Sequence, residues 1–180
     1  TQTLNTTGGA PDISGAGSFN VAGGTLTVAT AMHADNLALS SGAIDGGGAL
    51  TVDNSLAWSG GLLSGNGSTV VAPAAGFTLS GSQTLTTRSF DNQSTTGQWT
   101  GNGTLTLESN ATFINSGTLT VTGDGHLARN NPPGTFTNSG LFEKNGGTGV
   151  TLIDDSLLTF NNNGTVRVTT GTLNMSSGFN

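Results

Sequence analysis

The sequence predicts an all-β protein built as a parallel β-solenoid of about eight rungs of 18–24 residues. Three observations carry this reading. A Phe-x-Asn-x-Gly skeleton recurs: FINSGTLTVTG at 113–123 returns as FTNSGLFEKNG at 136–146 and as FNNNGTVRVTT at 160–170, with FDNQS at 90–94 a degenerate copy. Phe90, Phe113, Phe136 and Phe160 stand 23, 23 and 24 residues apart, the length of one turn of a stacked structure and too short for a domain. Composition agrees, because only 33% of residues are hydrophobic and 8% charged while 30 are Gly. Thr, Ser and Asn make up much of the rest, as strands, tight turns and side-chain ladders require. The apolar residues are regularly spaced, which separates the chain from a disordered one.

From the N-terminus, Leu4 and Ile13 are the main apolar residues before Ser14, and Gly8-Gly9-Ala10-Pro11 is a turn cluster. Residues 1–18 are therefore read as a partial first rung or a frayed end, and 19–180 as a single solenoid domain. One column runs through that domain, an apolar residue two before a small one: Val21, Leu39, Trp58, Leu79, Trp99, Val121, Lys144 and Val168, in steps of 18 to 24 residues. The segments 37–52 and 56–71 align without a gap at an offset of 19 residues. A second column is expected at Leu26, Leu50, Val70, Leu85, Leu105, Leu127, Leu152 and Leu173, each an apolar residue flanked by polar ones after a Gly turn.

Period-2 alternation puts Phe113, Asn115, Gly117, Leu119 and Val121 on one face, which must be the interior. Stacking then brings Asn92, Asn115, Asn138 and Asn162 into one column, where each amide can bond its own turn and the next amide. This predicts an asparagine ladder at a corner. Lys144 conflicts with the scheme, since the period points it inward. A lone buried ammonium is costly, so the strand is expected to end or bulge at Glu143–Asn145. Pro73, Pro132 and Pro133 mark loops, because proline cannot donate to a ladder. Trp58 and Trp99 share the apolar column and are read as core, ahead of an exposed sugar-stacking platform.

Charge excludes several functions. The net charge is −6, and one lysine and three arginines leave no basic stripe for phosphates, so no nucleic-acid partner is expected. No apolar run is long enough to cross a bilayer and no basic amphipathic helix could lie on one, so no membrane insertion is expected. With 0 Cys there is no disulfide framework and no thiol chemistry. A chain that opens at Thr1 and closes on Gly178-Phe179-Asn180, the start of another Phe-x-Asn turn, reads as a piece or mature portion of a longer secreted repeat protein.

Residues that could carry chemistry are sparse. Asp124-Gly125-His126, with Arg129 downstream, and the pair Asp154-Asp155 come nearest to a glycan-cleaving set, which needs two carboxylates across the sugar bond. Aspartate is also a favoured turn residue, and the solvated-turn reading is preferred. His33 and His126 are the only histidines and form no ligand motif, and no calcium nonapeptide is complete, although a loop calcium at Asp45/Asp53 or Asp154/Asp155 is conceivable. Threonine pairs could form an ice-binding array. However, Thr118/Thr120 is followed by Leu141/Glu143 and Thr165/Arg167, and Thr104/Thr106 by His126/Ala128, which interrupts any lattice. No catalytic, cofactor-binding or metal residues are assigned, no cofactor is expected, and the chain is read as a non-enzyme.

The Phe-x-Asn-x-Gly-Thr-Leu/Val-x-Val of 113–121 and 160–168, with its Gly-x-Gly-Thr-Leu turns, resembles the β-helical passenger segments of large secreted bacterial surface proteins, the autotransporter and filamentous-haemagglutinin-like adhesins. The resemblance covers roughly Phe19 to Asn180 and is one of repeat style. It implies a right-handed β-helix, extracellular or on the bacterial cell surface, used as a stalk, adhesin or fibre. Partners implied are other copies end to end, or host, matrix or cell-surface glycans. It carries over no ligand-binding residues. A polysaccharide-binding or polysaccharide-cleaving β-helix is the alternative, and an ice-binding solenoid the next.

Overall fold

The computed structural model describes residues 12–130, 132–153 and 158–176. Among them there is no helix, and the strands form one continuous parallel coil of about seven turns, close to the eight rungs expected. Its first half combines long strands that bend round corners, β2 (Phe19–Thr27), β3 (Met32–Asp45), β4 (Ala49–Leu63) and β6 (Gly76–Thr86), with the short β1 (Asp12–Ile13) and β5 (Ser68–Val71). Its second half is divided into shorter pieces: β7 (Ser89–Asn92), β8 (Gly97–Trp99), β9 (Thr104–Glu108), β10 (Thr112–Asn115), β11 (Thr118–Val121) and β12 (His126–Arg129). These are followed by β13 (Thr135–Asn138), β14 (Leu141–Lys144), β15 (Val150–Ile153), β16 (Thr159–Asn162), β17 (Thr165–Val168) and β18 (Thr172–Met175).

Each turn contributes to three faces. Face 1 stacks β1, 32–34, 49–52, β5, β7, β10, β13 and β16. Face 2 stacks 19–21, 37–39, 55–58, 76–79, β8, β11, β14 and β17. Face 3 stacks 25–27, 43–45, 60–63, 82–86, β9, β12, β15 and β18. Three corners join them, and the register shifts at Ala34/Asn36 and Trp58/Gly60 are long strands turning such a corner without breaking.

Inward residues alternate with outward ones, so each core side chain rests on its counterparts one turn away. The expected face 2 column is present in full, Val21 on Leu39 on Trp58 on Leu79 on Trp99 on Val121 on Lys144 on Val168. Both tryptophans are buried in it. On face 1, Phe90, Phe113, Phe136 and Phe160 stack with ring centroids 4.8, 5.0 and 5.1 Å apart, near the ~4.8 Å spacing of neighbouring strands. Pro73, Pro132 and Pro133 lie outside the strands, as expected.

The expected second column does not hold as one column, and Leu50, Val70, Leu152 and Leu173 are all displaced from it. Leu50 and Val70 belong to face 1, paired with Met32 and Thr51 respectively, because the turns at 46–48 and 64–67 lead onward into a new coil. Face 3 instead carries Leu26, Ile44, Leu63, Leu85 and Leu107 in one column and Gln83, Leu105, Leu127, Ile153 and Met175 in another. Leu152 is displaced from this column: Thr151 and Ile153 are the buried residues of β15, and Leu152 lies beside His126 on the outer side.

Candidate functional site

Each of the three corners of the coil contains a buried polar group or ladder, and these are the chemically distinctive features of a mostly apolar interior. At the corner between faces 1 and 2 stands the expected ladder. Asn92 Nδ2 donates to Asn115 Oδ1 at 2.8 Å, Asn115 to Asn138 at 2.8 Å, and Asn138 to Asn162 at 2.7 Å. Each of these amides also donates to the carbonyl that opens the next strand, Thr118, Leu141 and Thr165 in turn. The Asn92 and Asn115 carbonyls in turn accept from the two amides that begin the corner one turn on. The ladder satisfies the polar backbone where the chain leaves face 1, and Asn92, Asn115 and Asn138 are fully buried as a result.

The corner between faces 2 and 3 contains Lys144, and here the expectation fails in its reason. β14 does end at Lys144, but so do the strands stacked on it, and the register passes through without a bulge. The ammonium is fully buried. It is not alone: Nζ donates to Gly123 O at 2.8 Å, Asp124 Oδ1 at 2.8 Å and Gly146 O at 2.9 Å, which uses all three of its donors. Asp124 also accepts from Gly149 N through Oδ2. The hydrogen bond from Lys144, helped by that charge and by the Gly149 amide, holds its carboxyl below the usual range. Asp124 is thus the counter-ion of a buried cation. One face-2 position outward, Glu143 accepts from Arg167 Nε at 2.8 Å.

The third corner, between face 3 and face 1 of the next turn, contains Arg88, to which the sequence reading gave no structural role. It is fully buried, and all five of its N–H bonds are used. Nε donates to Thr69 Oγ1 at 2.8 Å, one terminal nitrogen to Gly46 O and Ser64 O at 3.0 and 2.9 Å, the other to Gly48 O and Ser68 O at 3.1 and 2.7 Å. Burial lowers the guanidinium to about 10, against the opposing charge of Asp45. One arginine ties together three successive turns. The only sequence signal was its isolation between Thr87 and Ser89 at a corner position, in register with the Gly-rich turns 46–48 and 64–67.

On the outside, His33 Nδ1 and Asp53 Oδ2 stand 2.8 Å apart, both substantially exposed. A groove on face 3 is lined by Leu62, Ser82, Thr84, Thr104, Thr106 and Glu108. Among the described residues no group of three His, Asp or Glu is placed to hold a metal ion. Asp154 and Asp155 lie outside the described residues, so Asp124 is the one placed carboxylate of that set, with His126 and Arg129 following it at the two ends of β12. Thr118/Thr120 and Thr104/Thr106 stack on the interrupting residues read from sequence, Leu141/Glu143 and His126/Ala128. Compared with known proteins, the chain matches no family model, no curated protein and no solved structure.

Proposed function

We propose that this chain is a non-catalytic structural rod of the extracellular space or bacterial cell surface, a stalk or fibre segment of the kind its repeats resemble. One observation supports the reading most: three parallel sheets run unbroken along the coil, with a buried side-chain network at every corner. Load along the axis then passes from rung to rung through the strand pairing of all three faces, and free strand edges are confined to the ends of the coil. The expected partners are further copies end to end. Light scattering and small-angle scattering over a range of concentrations test this. Rod-shaped particles, lengthening in monomer multiples as concentration rises, are the expected result; a compact particle of fixed mass overturns the self-associating rod.

The groove on face 3 favours a second reading, polysaccharide binding. It offers four hydroxyl side chains around the half-buried Leu62, and no cation lines it. Glu108 is its one carboxylate, whereas glycoside hydrolysis needs two, so binding fits the groove better than cleavage. Retention on a neutral glycan column, lost in Thr84→Lys/Thr106→Lys, is the expected outcome of this reading; failure to bind any glycan removes it.

A further inference from the structure

We propose that the corner around Arg88 is a built guanidinium-binding site for which the chain itself supplies the ligand. Four main-chain carbonyls and one hydroxyl converge there, Gly46 and Gly48 from two turns back and Ser64, Ser68 and Thr69 from one turn back. Five acceptors match the five N–H bonds that a guanidinium holds in a fixed planar fork. An ammonium has three donors and no plane, and would leave at least two of these acceptors without a partner.

The turns that present the acceptors are also held by main-chain pairing of the coil. Gly48 N donates to Val28 O at 2.8 Å, Ser64 N to Ile44 O at 2.8 Å and Gly67 N to Gly46 O at 3.1 Å, so parallel pairing fixes the turns that present the carbonyls. Asp45 supplies the opposite charge and is oriented by Ser64 Oγ at 2.9 Å. Glycine at 67 keeps the site open, since a Cβ there would collide with the Gly48 carbonyl, one of the acceptors, and also press on the guanidinium nitrogen at 3.0 Å. A site of this kind should survive the loss of its tethered ligand and accept a free one.

Thermal unfolding of Arg88→Ala, with guanidinium or methylguanidinium added at about 10–50 mM, tests this well below the molar range in which the ion denatures. The variant should melt below the native protein and recover half or more of that loss, saturably, while the native protein, whose site is filled, gains nothing. Urea, sodium and ethylammonium at equal concentration should not rescue it. A variant that responds to guanidinium as the native protein does overturns the proposal. Should Arg88→Ala fail to fold alone, refolding with and without the ion gives the same decision from the β signal in circular dichroism: recovery with the ion supports the site and no recovery overturns it. A further arm adds Thr69→Val to the Arg88→Ala chain. Loss of that hydroxyl should raise the half-saturating concentration about tenfold, as one hydrogen bond to a charged group requires, and Thr69→Ser should not. An unchanged half-saturation in Thr69→Val removes Thr69 from the site and with it the five-acceptor geometry.

Discussion

Asn115 has asparagines above and below it and accepts and donates within the same column. Replacing it with Ala strands the Asn138 acceptor and the Leu141 carbonyl inside the coil, and should cost about 3 kcal/mol in chemical denaturation. Asn162→Ala, at a half-buried position with one ladder partner among the described residues, should cost clearly less. Asp124 gives a pH signature. Its folded carboxyl is held below the unfolded range, so its contribution is present at neutral pH and is lost as pH falls through the acidic range to the lowered folded value. Acid titration of stability should therefore be flatter in Asp124→Asn than in the native protein, and the variant should be less stable at neutral pH. Residues of this kind divide by how visible they were. The asparagine column was legible because four copies repeat at one spacing. Arg88 and Lys144 were not, because each occurs once and its partners are mostly carbonyls, which carry no signature in a sequence. For Lys144 the cost of burial was judged correctly, but the partners that offset it belong to the corner one turn earlier.

The straight stretches between corners are short, and the corners decide how they stack. Gly103 sits so close to the turn before it that a Cβ would collide with the Gly81 carbonyl, whereas a Cβ on Gly47 would meet open space. Gly103→Ala should therefore lower the melting temperature sharply and Gly47→Ala leave it nearly unchanged, a contrast that composition does not reveal since both are turn glycines. Face 2 could be read correctly through all eight of its strands because one column, apolar except at Lys144, continued through every turn. Face 3 could not. Its inward column changes identity midway, from Leu107 to the Leu127 and Ile153 set; Leu50 faces inward from another sheet, and Val70 lies on the outer side of that sheet between the buried Thr69 and Val71. Period 2 says that a residue faces inward, and it does not say which of three sheets it faces inward from.

For the whole molecule, the repeat makes length a modular property. Deleting Ser89–Ala111 removes one full turn and joins Arg88 to Thr112, which occupies the register of Ser89. The shortened chain should fold, melt cooperatively and lose about 4.8 Å of length in small-angle scattering. Deleting one residue fewer leaves an extra residue at the corner between Arg88 and Thr112, and should lower the melting temperature while the downstream strands keep their faces, as they do across native turns of unequal length. The burial of two cations also changes what another molecule meets. Of four basic side chains, Arg88 and Lys144 lie inside and Arg167 is bound to Glu143, so the outer surface presents fewer available positive groups than a net charge of −6 suggests. Two copies approaching side by side repel each other over roughly the 8 Å Debye length of physiological saline, and this repulsion weakens as salt rises. Lateral bundling is thus a matter of ionic strength, and a dilute, low-salt solution should keep such particles apart along their sides.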